Sequence, residues 1–271
     1  MDREAPRGRS RNPRRVVYRI PSRSFARCFA SSAGSAAPSN DDDRPRSLSL
    51  LQRRLHKRLR SPALRSWTQD CRRRSYHCGI ANIGPRVLFP KAPPSLAPLF
   101  TLAAAVAMHN ASEHYTGLDI DIKWPNDLLV EGKKFCGILS EIQAEVDLVK
   151  NMVIGIGVNV NHETLPPDIA DRATSLRMAS GRIQSRIEIL LEFFEEFENI
   201  YMEFERRGPR SIIEQWTSFS SFATGRRIEI HDGVRKITGV TRGLNALGAL
   251  RIEQKSGQLE DVYSGEVVSW E

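Results

Sequence analysis

The sequence predicts an α/β segment followed by a small all-β module. Three observations predict it. Strand-like alternation recurs between residues 119 and 161. A helix-length apolar stretch precedes that region, and a long amphipathic helix follows it. After Gly225, five short strand candidates crowd into fewer than about fifty residues.

Taken in order, Val87-Leu88-Phe89 is a short strand candidate that ends in the proline-rich run Pro90–Pro94. Ser95 opens a helix reaching about His114, and its Ala103-Ala104-Ala105 permits close packing. Ile120 and Ile122 alternate with Asp119, Asp121 and Lys123, which is strand periodicity. Leu128-Leu129-Val130 and Phe135–Ile142 flank Glu131-Gly132, a two-residue hairpin signal. Asp147–Asn161 is a further strand-rich unit whose Gly155 and Gly157 keep one face bare. Glycines there weaken a strand, so a ligand or another backbone approaches, or the strand carries a bulge or packs tightly.

Ser185 and Glu188 form a capping-box pattern ahead of a helix with Leu190, Phe194, Phe197, Tyr201 and Phe204 on one stripe. That helix stops at Gly208-Pro209, and a shorter one holds Ile212, Ile213 and Trp216. Arg226–His231, Arg235–Arg242, Ala249–Gln254, Gln258–Tyr263 and a strand ending at Trp270 make the all-β module. The boundaries expected are a basic segment 1–86, an α/β domain 87–222 and a β domain 223–271.

The net charge of +8 over 271 residues is unevenly placed. Residues 1–90 carry 21 basic and 6 acidic groups, a balance of +15, so the rest is mildly acidic at −7. Residues 1–39 have the Arg/Ser/Ala composition of an organelle transit peptide, and 47–64 fit a short basic amphipathic helix. One-signed charge with little apolar content favours a disordered tail over a nucleic-acid-binding arm. Four cysteines without a C-x-x-C pair point to a reducing, cytoplasmic compartment. Leu99–Met108 is too short to span a bilayer, which takes about 20 apolar residues.

The chemistry concentrates in Lys123-Trp124-Pro125-Asn126-Asp127 and in Lys133-Lys134-Phe135-Cys136-Gly137-Ile138-Leu139. Counting outward from the Glu131-Gly132 turn places Leu129 opposite Lys134, and Asp127 and Lys123 share that parity. Pro125 is expected to kink the strand between them. Two ammonium groups and a carboxylate on one face suit the joining of two anions that repel each other, a carboxylate and a nucleotide phosphate. The plain alternative is a solvated hairpin with ordinary surface lysines.

The run KWPNDLLV–GKK–CGIL, then IGIGVNVN at 154–161, then Ala173-Thr174-Ser175-Leu176, resembles the biotin–protein ligases in order and spacing. Gly239–Gly243, Gly248-Ala249-Leu250 and Ser264-Gly265-Glu266 look like their small SH3-like domain. The match covers residues 87–271, about two-thirds of the chain. It implies a mixed sheet flanked by helices, as in class II aminoacyl-tRNA synthetase-like and biotin–lipoate ligase folds.

It also implies adenylation of biotin with Mg-ATP and transfer to one lysine of a biotin carboxyl carrier domain. By the same resemblance Lys134 would be the main electrostatic catalyst, and Lys123 would hold phosphate or pyrophosphate. Asn126 and Asp127 would support nucleotide and Mg²⁺, with Asp127 as the metal ligand. Asn159 would contact adenine, and Gly137, Ile138, Leu139, Gly155 and Gly157 would floor the biotin site. Arg242 is a weaker match, tied to site closure or carrier docking. Members of this family often form homodimers, and neither membrane attachment nor specific DNA binding is expected.

One departure is as informative as the match. The family's G-R-G-R-x-G biotin loop and its upstream Ser-Thr-Asn stretch are both absent, and Cys71–Gly79 stands where the loop should end. A frameshifted or rearranged 5′ coding end would account for that, and weak or no ligase activity is the expectation. The competing readings are a lipoate- or octanoate-transferring relative and a non-catalytic remnant with a basic nucleic-acid-binding arm.

Overall fold

The computed structural model describes residues 16–19 and 83–88 as backbone strands, and residues 92–144 and 147–270 throughout. Apart from the strand at 16–19, the transit-like segment lies outside the described residues, as do the stretch 47–64, Cys28 and the Cys71–Cys78 region. The larger sheet holds β1 (Val16–Arg19), β2 (Ile83–Leu88), β3 (Asp121–Lys123), β4 (Asp127–Val130), β5 (Lys133–Ala144) and β6 (Val149–Val158). Its order is β2-β6-β5-β4-β3, with β1 paired to β5 beyond the end of β4. Where the resemblance implied a mixed sheet, every strand pair among the described residues is antiparallel. The parallel contribution is an isolated bridge between Lys134 and Ala173.

Helix α1 (Ala97–Thr116) follows a 3-10 turn at Pro94–Leu96 and is buried on nearly every side. It is mostly buried because the sheet and the later helices pack around it, leaving Glu113 and His114 near its C-terminal end exposed. Its start falls two residues after Ser95, because Pro94 and Ser95 belong to the 3-10 turn. The Thr101 and Ser140 hydroxyls meet at 2.6 Å and tie α1 to β5. Helices α2 (Leu176–Ser180), α3 (Arg186–Arg207) and α4 (Arg210–Ser218) follow. Ser185 caps α3 by accepting from the Glu188 amide, as the pattern predicts.

The buried stripe of α3 is Ile189, Phe193, Phe197 and Ile200, not the predicted one, which shares only Phe197. Tyr201 and Phe204 are half-buried against the Phe100 ring of α1, at 5.9 and 5.3 Å between centroids. The true axis of burial thus runs one residue earlier along the helix. Aromatic residues drew the predicted stripe toward its rim.

Strands β7 (Thr224–His231), β8 (Lys236–Leu244), β9 (Leu250–Glu253), β10 (Leu259–Val262) and β11 (Glu266–Trp270) form the second sheet. It is antiparallel throughout, in the order β10-β9-β8-β7-β11, and its five strands fall on the five short candidates of the sequence. Gly239 is required there, since a Cβ would overlap the Glu253 carbonyl and the Ile252 side chain. Among the described residues, no helix is long and apolar enough to cross a membrane.

Candidate active site

Glu131 and Gly132 join β4 to β5 with φ of 50° and 74°, the two left-handed residues of a tight hairpin turn. Val130 pairs with Lys133, and Leu129 with Lys134, as the turn predicts. One step on, Leu128 faces Cys136, so Phe135 is an extra residue and the ladder bulges. The bulge has a specific consequence. Lys134 and Gly137 are three residues apart and would otherwise point to opposite faces; the extra residue puts both on the face of Asp127, whose partner is Gly137.

The segment from Lys123 to Asp127 is not a kinked strand, as expected, but a chain reversal. β3 and β4 are separate strands, Trp124-Pro125-Asn126 turns between them, and Lys123 sits directly opposite Asp127. Pro125 has no amide hydrogen to give to a ladder, and its bond to Trp124 is cis. The shared face survives the correction, because cross-strand partners project to the same side.

The three polar groups converge. Lys134 Nζ lies 2.6 Å from Asp127 Oδ1, and Lys123 Nζ lies 3.4 Å from Oδ2. Lys123 is 8 % exposed, Lys134 9 % and Asp127 4 %, which excludes the solvated-hairpin alternative. Two ammonium groups about one carboxylate in such burial act on charge far more strongly than in water. The same geometry engages both oxygens of the expected metal ligand, since each Asp127 oxygen faces an ammonium. Among the described residues there is no group of three or more metal-ligating side chains.

The backbone of Lys134 is clamped as well. Its amide donates to Arg172 O and its carbonyl accepts from the Thr174 amide, each at 2.9 Å. Thr174 also receives the Asn159 side-chain amide on its carbonyl, at 3.1 Å. Asn159, with its own amide on Phe135 O, therefore stands beside the Lys134 backbone.

Gly137 pairs with Gly157, and Leu139 with Gly155, so these four line the charged face beside Asp127. A Cβ on Gly155 would meet only the Leu139 carbonyl, at 3.7 Å. Ile138 departs from the expected site. It pairs with Ile156 on the opposite face and is fully buried there, because neighbouring residues of a strand alternate. Its backbone alone reaches the turn, through an amide bond to Asn126 O and a carbonyl that accepts the Asn126 side chain. Asn126 is thereby a clasp between turn and strand.

Arg242 lies outside the cluster, on β8, with Nε 2.6 Å from Glu253 Oε2. Cys136 shares Ile138's buried face. Burial pushes its thiol far above the usual range, with Lys134 opposing and Asp127 adding to that rise, so it stays protonated. Sequence reading missed Trp270, whose ring lies 5.1 Å from Lys123 Nζ. No local pattern marks it, because 147 positions separate the pair.

The fold and the charged hairpin define a class of protein. Residues 87–159 match the profile of the biotin/lipoate A/B protein ligase family. Within that class residues 224–270 match the biotin protein ligase C-terminal domain, and the chain belongs to the biotin–protein ligases. The bifunctional ligase/repressor BirA of Bacillus spizizenii is 36 % identical over 184 residues, which is 67 % of this chain and 56 % of that protein. The chain thus spans about half the length of the curated relatives it matches. The apo biotin protein ligase of Aquifex aeolicus superposes with a TM-score of 0.60 at 28 % identity, covering 69 % of this chain and 80 % of that one. The same enzyme in complex with biotin and ATP gives 0.57 at 27 % identity, covering 69 % and 78 %. These likenesses bear out the fold class, α/β with an SH3-like β module.

Proposed function

We propose that this chain joins biotin to one lysine of a biotin carboxyl carrier domain through biotinyl-5′-AMP. The observation that carries this is the convergence of Lys134 and Lys123 on Asp127 beside a face kept bare by Gly137, Gly155 and Gly157. In the first step a biotin carboxylate oxygen bonds to the α-phosphorus of ATP and the bond to pyrophosphate breaks. Lys134 offsets the charge that grows at phosphorus, and Asp127 aims it. Lys123 faces the phosphate side. In the second step the acceptor amine attacks the acyl carbon, AMP leaves, and the amine proton passes to solvent. Where magnesium accompanies ATP, the nucleotide phosphates and water would hold it, Asp127 would be this chain's hard oxygen donor at the cluster, and the ion would offset phosphate charge. Without a G-R-G-R loop in the sequence, the adenylate is less shielded from water, and slow turnover with adenylate loss is the expected behaviour.

Biotin-dependent labelling of a carrier domain tests the reading. Lys134→Ala should lower the rate about 10²–10³-fold, the range for removing one preorganised donor. An unchanged rate would remove Lys134 from the chemistry. Pyrophosphate exchange into ATP stimulated by lipoate and not by biotin would move the chain to the lipoate side of the family.

A further inference from the structure

The first two residues of the charged turn reach into the small β module. Lys123 Nζ donates to the Val267 carbonyl at 3.3 Å and sits over the Trp270 ring. Trp124 Nε1 donates to the Gly248 carbonyl at 3.4 Å. Gly248 has φ +83°, and a Cβ there would stand 3.0 and 3.1 Å from Leu102 and Leu99, so this turn of the module is pressed onto α1.

The outer edge of β3 is closed by the connection to the module. The Ile122 amide bonds to Phe219 O, and Ser220 Oγ bonds to Ile122 O. The Ser221 amide and hydroxyl both donate to the Asp121 carboxylate. Phe222 meets the Trp270 ring edge-on at 5.3 Å, and the Arg226 guanidinium covers the Phe222 ring at 4.5 Å. Trp270 is therefore held from behind and presents a fixed surface to Lys123.

We propose that Trp270 is a positioning residue for the Asp127–Lys134 pair, acting through Lys123. The ring and the Val267 carbonyl keep the Lys123 ammonium on Asp127 Oδ2, at 3.4 Å, and leave Oδ1 to Lys134, at 2.6 Å. A lysine on four flexible carbons, released from that hold, closes on the same carboxylate and competes with Lys134 for it. The small module thereby sets the aim of a group more than 130 residues away in sequence. This inference rests on the ligase reading, so its test needs a readout that survives the failure of that reading.

The test compares the full chain with Trp270→Leu, Trp270→Phe, Lys123→Met and the double variant Lys123→Met/Trp270→Leu. In biotin-stimulated pyrophosphate exchange, Trp270→Leu should lower kcat about tenfold with KM for biotin little changed, a size within reach of one desolvated cation–π contact. Trp270→Phe, which keeps an aromatic face, should recover most of the loss. In the Lys123→Met background, Trp270→Leu should add almost nothing. Losses that multiply in the double variant, or a Phe variant no better than Leu, would overturn the proposal. If the parent chain shows no exchange, the ligase reading fails by itself. The same four variants then decide the contact by thermal midpoint, where non-additive shifts support it and additive shifts reject it.

Discussion

The two faces of strands β4–β6 use the same backbone for opposite purposes. One carries Leu128, Cys136, Ile138, Ile156 and Val158, all buried, in a core closed by α1. The other carries Asp127, Lys134, Gly137, Leu139, Gly155 and Gly157, with Leu139 and Gly155 only half-buried. The apolar face fixes where the strands sit, and the charged face uses that rigidity to hold two cations and an anion within contact. What separates them is the one-residue bulge at Phe135, without which Lys134 would lie apart from the glycines. Function on one face therefore depends on packing on the other.

Substitutions on the two faces should therefore separate, activity falling on one and stability on the other. The largest effect belongs to Lys134→Ala on the charged face, as given above. Next is Ile138→Ala on the apolar face, which deletes a fully buried side chain and should cost about 2–5 kcal/mol of stability. Urea denaturation measures it, and the folded fraction should keep its KM for biotin and ATP. A raised KM at full folding would mean that the Ile138 side chain belongs to the site after all.

Gly155→Val probes the charged face without removing a contact. Its Cβ meets only ordinary contact, and a branched residue suits a strand better than glycine, so the urea midpoint should hold or rise. The added methyls stand on the bare face, and the KM for biotin should rise by about tenfold or more, as for overfilling a close-packed site. A variant with lower stability and unchanged KM would assign that glycine to sheet packing instead.

Much of this site was legible in the sequence because its signals are local. Glu131-Gly132 announces the turn, and alternation from it places Lys134, Leu129 and Asp127 on one side. Three features were not legible. The reversal at Trp124–Asn126 hides because Lys123 and Asp127 keep the same parity whether the chain kinks or turns back. The bulge at Phe135 hides because no glycine marks it. The seating of Lys123 and Trp124 on Val267 and Gly248 hides because 144 and 124 positions separate the partners. Alternation says which face a residue occupies, and tertiary packing alone says what arrives there.

The smallest effect concerns His162, which follows Asn159 just past the end of β6. Its carbonyl accepts from Ser175 Oγ at 2.6 Å, and its Nδ1 is buried without a hydrogen-bond partner among the described residues. Burial first, and the nearby Arg186 guanidinium second, hold its pKa below the ordinary 6.5. The folded state thus favours the neutral ring, and the unfolded chain binds the proton more readily. Its contribution to stability is complete above pH 6.5 and is lost as pH falls through the depressed folded value. His162→Gln should therefore flatten the pH dependence of the urea midpoint on the acid side of 6.5 while leaving pH 8 unaffected. Arg186→Gln should move the same profile part of the way, since it removes the lesser cause. A profile that stays equally steep in His162→Gln would place the acid sensitivity in another group.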